Sequence, residues 1–188
     1  NNVTNNSIHN NNFFGVMLGG STGNTIANNS LVNNSVVSLF VVPFVLDSCD
    51  NNIADNTGGY YGKPIAYEHD TSGITVENSD NFSEIIWCGV NNSVIRNVEI
   101  SNGPGQMDGL LLVLSQGNRL DNISSHNNFL GAYLAFGSVD NVLSNSSLHN
   151  NTMVGLVIEN GRNNTIVSNS IFSNSQTGLQ LSSESDDN

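Results

Sequence analysis

The chain has 188 residues, of which 37% are hydrophobic, and four Lys plus Arg against sixteen Asp plus Glu give it a net charge of −12. So acidic a chain repels phosphate backbones and lacks a basic patch for anionic lipid, which excludes nucleic acid and membrane headgroups as general partners. No apolar run approaches the roughly eighteen residues of a membrane span, so we expect no membrane insertion in this segment.

A repeat organises the chain from its first residues. In the C-terminal half, the triplets starting at Asn118, Asn141 and Asn164 begin about 23 residues apart, in the range typical of solenoid repeats. Most units continue with a glycine and an alternating apolar pair, at Gly15, Gly109, Gly131, Gly155 and Gly178, and Ser38 takes the glycine's place once. Alternation with a period of two predicts strands with one buried face, and no window shows the spacing of a helix.

These units predict one all-β domain over residues 1–188. Short strands that advance one coil per repeat are typical of a right-handed, single-stranded parallel β-helix, here of about seven coils. The apolar residues that follow the repeat glycine, or its serine substitute, should point into one continuous core. They are Val16, Leu18, Leu39, Val41, Leu110, Leu112, Leu134, Leu156, Ile158, Leu179 and Leu181.

Asparagine recurs at two places in each unit. One column lies between two inward apolar residues, as Asn145 does between Leu143 and Leu148, and the other lies before the repeat glycine, as at Asn150 and Asn151. Asn tolerates the left-handed conformation of a sharp turn, and stacked amides stabilise parallel strands in register. We therefore predict structural ladders in preference to a sugar-binding surface.

The period is interrupted once, between about residues 42 and 90. Residues 56–64 contain several Gly and a Pro and predict an irregular loop, and acidic residues concentrate throughout this excursion. We predict that it forms the one protrusion on the rod and holds any specific binding site. If Ca²⁺ binds, the candidate ligands are hard carboxylate oxygens in this stretch, namely Asp47, Asp50, Asp55 and Asp70.

Three further residue sets carry predictions. His126 and His149 lie one repeat apart, which favours turn histidines stacked on adjacent coils over a shared metal ion. Cys49 and Cys88 are interpreted as free buried thiols, with a disulfide as the alternative. The candidate N-glycosylation sites are Asn2, Asn5, Asn28, Asn33, Asn81, Asn91, Asn122, Asn145, Asn150 and Asn163.

Three motifs carry a resemblance to a known family. They are Tyr61-Gly62-Lys63-Pro64-Ile65-Ala66-Tyr67, Ser72-Gly73-Ile74-Thr75-Val76 and Asn92-Ser93-Val94-Ile95-Arg96-Asn97-Val98. The chain resembles the NosD-like, carbohydrate-binding and sugar-hydrolase (CASH) β-helix modules of archaeal, especially methanogen, surface proteins. The resemblance implies an architecture more than an activity. Family members are mostly surface or periplasmic proteins, one branch assists copper-enzyme maturation, and distant relatives cleave or epimerise polysaccharides.

Two functions follow as hypotheses. The first is an extracellular or cell-surface scaffold, structural or adhesive, which binds glycans weakly and assembles end to end. The second is a carbohydrate-active enzyme module, a lyase, hydrolase or epimerase, with its site in the excursion. The sequence favours the first, because the cations Lys63, Arg96, Arg119 and Arg162 do not fall in one column with an acidic cluster. An enzyme should show carboxylates and a cation converging in a cleft, and a scaffold a uniform Asn/Ser/Thr surface.

Because the first residues already lie within a repeat, we also expect the chain to be a segment of a longer protein.

Overall fold

The computed structural model describes residues 1–43, 49–103 and 108–188, and the described elements are all strands. Their bounds are β1 (Asn2–Thr4), β2 (Phe14–Gly19), β3 (Thr25–Ala27), β4 (Ser30–Val32), β5 (Val37–Val42), β6 (Asn52–Ala54), β7 (Thr57–Gly59), β8 (Lys63–His69), β9 (Thr75–Phe82), β10 (Glu84–Cys88), β11 (Val94–Ser101), β12 (Asp108–Val113), β13 (Arg119–His126), β14 (Leu130–Ala135), β15 (Val142–Ser144), β16 (Ser147–His149), β17 (Val154–Glu159), β18 (Thr165–Val167), β19 (Ser170–Phe172) and β20 (Thr177–Ser182). Among the described residues there is no helix of the length and apolarity that a membrane crossing requires.

The strands stack as a parallel β-helix. An eight-stranded sheet runs β4-β7-β8-β10-β12-β14-β17-β20. A seven-stranded sheet consists of the path β9-β11-β13-β15-β18 together with β16, which pairs with β13, and β19, which pairs with β16. Two smaller sheets, β1-β3-β6 and β2-β5, belong to the first coils. Side chains in register lie on successive coils, as Leu134, Ile158 and Leu181 do. The predicted solenoid of about seven coils is therefore present.

Within the described parts of the chain, the direction of the strands reverses once, at a tight hairpin. Strand β7 pairs with β8 in the antiparallel sense, with Thr57 opposite Pro64, whereas the other described strand pairs are parallel. Gly59 enters the turn with a φ of 69°, and a Cβ there would overlap Asn102 Oδ1. The prediction of an irregular loop over residues 56–64 was therefore wrong. We call residues 1–59 the N-terminal unit and residues 63–188 the main rod.

The reversal divides the hydrophobic interior into two cores. The main core lies inside the main rod and contains the inward residues of its strands, such as Leu112, Leu134 and Leu156. The alternate residues of the same strands, such as Leu111 and Tyr133, join the N-terminal unit's Leu39 in a second cluster, which we call the junction core. The N-terminal unit therefore packs on the outer face of strands β10, β12, β14 and β17, which are buried on both faces.

This arrangement corrects the prediction of one continuous core. Val16, Leu18, Leu39 and Val41 belong to the junction core, and the predicted residues from Leu110 to Ile158 belong to the main core. Leu179 and Leu181 lie on the last strand, in register with Leu156 and Ile158, and are 44% and 51% exposed. The alternation of each strand was predicted correctly, but the pattern of one strand contains no information about which core its residues enter.

The excursion predicted over residues 42–90 is mostly regular. Strands β6 to β10 lie within it and continue the sheets of both units. Residues 44–48 lie outside the described residues. The prediction of a single irregular protrusion does not hold for residues 52–88, because the period breaks there through a change of direction and not through an insertion.

Buried Asn ladders fasten the coils together, as predicted for the column before the repeat glycine, whereas Asn145 of the other predicted column is exposed and lies in no buried ladder. In the main rod, Asn118, Asn141 and Asn164 stack with Asn188, and each amide Nδ2 donates to the Oδ1 of the next Asn at 3.0 Å. The same Nδ2 groups donate to backbone carbonyls, as Asn141 does to Ser115 at 2.9 Å. Comparable ladders are Asn24–Asn51, Asn29–Asn56, Asn11–Asn34 and Asn128–Asn151–Asn174. Such complete pairing is what burial of an amide requires.

A disulfide joins the two units. Cys49 and Cys88 are bonded, and both are fully buried in the junction core. The Tyr67 hydroxyl donates to the Cys49 carbonyl at 2.6 Å, which fixes the same segment to β8. The interpretation of these residues as free thiols was wrong, because the reversal brings the chain after β5 against the end of β10.

Candidate functional site

A polar groove of about 500 Å³ crosses the outer face of the seven-stranded sheet. Each of four successive coils contributes to the lining one Asn with a left-handed backbone conformation and some of its neighbours. The lining residues are Asn78, Ser79, Asp80, Asn97, Val98, Glu99, Asn122, Ile123, Ser124, Asn145 and Ser147. The groove therefore repeats one pattern of amide, hydroxyl and carboxylate groups along the rod.

The Asn residues shape the floor of the groove. Asn78, Asn97, Asn122 and Asn145 have φ values of 54°, 54°, 52° and 51°, so each bends its strand at the same place. Asn97 Nδ2 donates to Asn78 Oδ1 at 3.0 Å, and Asn122 Nδ2 donates to Asn97 Oδ1 at 2.8 Å. Unlike the buried ladders, these amides are exposed to solvent and retain hydrogen-bonding capacity for a ligand.

A polar cluster adjoins the groove at Glu99. Lys63 Nζ donates to Ser101 Oγ at 3.0 Å, and Ser101 Oγ donates to Glu99 Oε1 at 3.5 Å. His126 Nε2 lies 3.4 Å from the same Glu99 oxygen. Lys63 comes from β8 and His126 from β13, so three coils contribute one cation, one carboxylate and one imidazole to this end of the groove.

Charged pairs lie on the other side of the Asn floor. Arg96 Nε contacts Glu77 Oε2 at 2.5 Å on the neighbouring coil. Asp121 accepts hydrogen bonds from Ser144 Oγ at 2.7 Å and Asn145 Nδ2 at 2.8 Å. The bond from Ser144, followed by that from Asn145, lowers the pKa of Asp121 below its ordinary value. Exposed pairs of this kind add little to the free energy of unfolding. Their hydrogen bonds orient the side chains beside the groove.

The two predicted turn histidines stack as expected. The rings of His126 and His149 lie 4.9 Å apart with an interplanar angle of 10°, and Phe172 continues the stack from His149 with the same spacing and angle. Among the described residues, no group of three or more His, Cys, Asp or Glu side chains is placed to hold a metal ion. The stacked arrangement was therefore predicted correctly from the one-repeat spacing.

The stack gives a pH-dependent prediction. Burial, followed by the nearby His126, lowers the pKa of His149 below its ordinary value. The unfolded chain then binds the proton more readily than the folded chain, so the free energy of unfolding should fall as the pH drops through about 6.5. His149→Phe keeps the stack and removes the titration, so its stability advantage over the wild type should grow from pH 7.5 to pH 5. Urea unfolding at both pH values measures this advantage. His9→Phe, outside the stack, is the control, and an advantage of His149→Phe that does not change with pH would contradict the prediction.

The predicted Ca²⁺ ligands do not form a described site. Asp47 lies outside the described residues. Asp50 and Asp70 both lie near Tyr67, whose pKa is raised first by burial and then by these two charges. Asp55 lies in the turn that follows β6, with a φ of 54°. Among the described residues, no group of three or more His, Cys, Asp or Glu side chains is placed to hold a metal ion. Ca²⁺ binding by the full set, which includes Asp47, stays a prediction.

The candidate glycosylation residues are accessible. Eight of the ten are exposed, and Asn33 and Asn91 are partly buried. Asn122 and Asn145 lie in the groove itself, so a glycan attached there would occupy it. Modification of these residues stays a prediction.

Sequence reasoning missed the groove for a definable reason. Asn78 and Asn97 are 19 residues apart, whereas Asn97 and Asn122 are 25 apart, so neither pair follows the regular period. Neither Asp80 nor Glu99 was singled out from the sequence. The available signal was the Asn that precedes an alternating pair in each coil, but that signal becomes visible only after the coils are aligned in register.

Comparison with known proteins agrees with this architecture. A family model described as "Right handed beta helix region" matches residues 68–188, and the chain belongs to that family. The A-module of the Azotobacter vinelandii mannuronan C-5 epimerase AlgE4 is similar in structure, with a TM-score of 0.53 at 12% identity. The alignment covers 98% of this chain and 56% of the epimerase chain, so this chain spans about half of that module. A search among curated proteins gives no match.

These comparisons confirm the predicted right-handed parallel β-helix. At 12% identity, the likeness to the epimerase module shows the fold alone. The finer resemblance to NosD-like and CASH modules, and the archaeal source that it implies, stay predictions.

Proposed function

We propose that this chain is a carbohydrate-binding β-helix module whose groove holds an extended glycan. The observation that carries the proposal is the groove itself, with an Asn amide from each of four coils along its floor and Asp80, Glu99, Ser124 and Ser147 beside them. Amides, hydroxyls and carboxylates are the groups that exchange paired hydrogen bonds with sugar hydroxyls. The groove is open along the surface, as an extended ligand requires.

The spacing of the groove also suits a polymer. Successive coils are about 4.8 Å apart, which is comparable to the length of one sugar residue in an extended chain. Asn78, Asn97, Asn122 and Asn145 would then each meet an equivalent part of the ligand. We infer that the glycan lies along the rod axis, since the repeated groups line up in that direction.

The charge of the groove favours a neutral glycan. Asp80 and Glu99 line it, Glu77 and Asp121 lie beside it, and the whole chain has a net charge of −12. Arg96 and Arg119 are already engaged with Glu77 and Asp121. An anionic polysaccharide would meet repulsion that the single Lys63 does not offset, whereas a neutral chain meets acceptors for its hydroxyl groups.

The test is a glycan array that displays neutral and acidic oligosaccharides, followed by calorimetry with the strongest ligand. We expect binding to neutral glycans and a loss of at least about tenfold in affinity for Ser124→Trp, whose ring would fill the groove. Ser170→Trp is the matched control, because Ser170 lies in the same column two coils further on and outside the groove. Absence of binding across the array, or an unchanged affinity for Ser124→Trp, would overturn the proposal.

A second candidate function is carbohydrate cleavage. The cluster of Lys63, Ser101, Glu99 and His126 favours it, because a carboxylate next to an imidazole can move a proton at a bound sugar. If this cluster is catalytic, the protein should release reducing ends from a neutral polysaccharide, and Glu99→Gln should abolish the release without loss of binding. Binding without any release would leave the module as a pure binder.

An extracellular or cell-surface location and a structural or adhesive role fit this proposal. The Cys49–Cys88 disulfide supports an oxidising compartment. End-to-end association also stays a prediction. Light scattering of the protein and of a Leu179→Lys variant would test it, and a concentration-independent monomer for both would argue against association.

A further inference from the structure

A second pocket lies where the N-terminal unit meets the main rod. It has a volume of about 300 Å³, and its walls are apolar almost throughout. Strands β2 and β5, with the residues just before them, form one side, and β14 with the preceding Phe129 forms the other. The lining residues are Phe13, Phe14, Val36, Val37, Phe40, Phe129, Leu130 and Tyr133. Five of these eight side chains are aromatic.

The aromatic rings are arranged around the pocket in different orientations. Phe14 and Phe40 stack with their centroids 5.3 Å apart and an interplanar angle of 14°, and Phe13 lies edge-on to Phe14 at 5.6 Å. Tyr133 is 9% exposed, and Phe13 is 66% exposed. The pocket therefore places five aromatic rings around one small volume that is open to solvent.

Core packing explains only part of this concentration of rings, because Tyr133 belongs to the junction core and Phe40 packs against it. Among the described residues, the buried interior consists mainly of Leu, Ile and Val, and its only aromatic members are Trp87 and Tyr133. Phe13, Phe14, Phe40 and Phe129 are instead exposed or partly exposed at the pocket. Exposing large aromatic surfaces costs stability, so their placement around a cavity points to a ligand that covers them.

The electrostatics of the pocket select the class of ligand. The Tyr133 hydroxyl donates a hydrogen bond to Glu159, so a carboxylate contacts one of the residues that line the pocket. The chain around it has a net charge of −12, and the faces of aromatic rings attract cations. A neutral apolar group would gain only from burial and an anion would be repelled, whereas a quaternary ammonium group gains from burial, from the rings and from the negative field.

We propose that this pocket binds a quaternary ammonium group of a small molecule that has no anionic group of its own. The volume accommodates a trimethylammonium head with a short chain, and the aromatic walls replace the weak hydration shell of such a cation. The site is independent of the polar groove, which lies on the seven-stranded sheet.

Calorimetry with choline and with its neutral isostere 3,3-dimethylbutan-1-ol tests the proposal, because the two ligands differ only in the charge of the central atom. Choline should bind about tenfold more tightly than the isostere, in line with a cation held against aromatic faces. Glycine betaine, which carries a carboxylate, should bind more weakly than choline. Equal or tighter binding of the isostere would show an apolar pocket only, and absence of choline binding to the folded protein would also overturn the proposal.

Two variants locate the site. Phe13→Leu should fold normally because Phe13 is mostly exposed, and it should weaken choline binding several-fold with less effect on the isostere. Phe172→Leu, at the far end of the His126–His149 stack, is the matched control and should bind choline like the wild type. An unchanged affinity for choline in Phe13→Leu, or an equal loss in Phe172→Leu, would place the binding elsewhere and contradict the proposal. Circular dichroism of both variants confirms that they are folded.

Discussion

Loss of the Cys49–Cys88 disulfide should lower the free energy of unfolding by about 4 kcal/mol, as expected for a cross-link that closes a loop of this length. The two cysteines are separated by 39 residues, and both are fully buried between the N-terminal unit and the main rod. Without the bond, the unfolded chain regains the entropy of that loop. The hairpin between β7 and β8 would remain as the covalent path between the units.

Urea unfolding of the oxidised protein, of the reduced protein and of a Cys49→Ala/Cys88→Ala variant measures this effect. The variant should resemble the reduced protein and should not respond to reductant. If reduction leaves the transition midpoint of the wild type unchanged, the two units are held together by the junction core alone, and the stabilising role of the disulfide is contradicted.

Replacement of Asn141 by Ala should cost a similar amount, roughly 4 kcal/mol, because several buried polar groups lose partners together. Asn141 is fully buried, and its Oδ1 accepts hydrogen bonds from both the backbone N–H and the side-chain amide of Asn118, each at 3.0 Å. Its own Nδ2 donates to Asn164 Oδ1 and to the Ser115 carbonyl. Ala supplies none of these groups, so the buried N–H, C=O and amide partners on the neighbouring coils lose these hydrogen bonds.

The matched control is Asn12→Ala, which removes the same amide from an exposed position. It should change the free energy of unfolding by no more than about 0.5 kcal/mol. A small effect of Asn141→Ala, comparable with that of Asn12→Ala, would show that the ladders are a by-product of stacking and not a source of stability.

The repeat and its ladders could be predicted from the sequence because their determinants are local. Each coil carries its own alternating pair and its own Asn, and the spacing from Asn118 to Asn141 and Asn164 aligns neighbouring coils without further information. The stacked rings of His126 and His149 followed from the same spacing.

The reversal at the β7–β8 hairpin could not be predicted in this way. Gly58 and Gly59 indicate a turn, but they do not indicate that the next strand pairs antiparallel and places its outer face against earlier coils. The disulfide, the junction core and the aromatic pocket all depend on that change of direction. The groove was missed for a related reason, since the coils around Asn78 and Asn97 depart from the regular period. The candidate site was therefore visible only when the strands were in register.

The most direct measurement of the proposed function is a crystal structure of the protein with the neutral oligosaccharide that binds most tightly on the array. We expect sugar rings along the groove, with hydrogen bonds to Asn97 and Asn122 and to the Glu99 carboxylate. An oligosaccharide bound away from the seven-stranded sheet, with the groove empty at a saturating concentration, would contradict it.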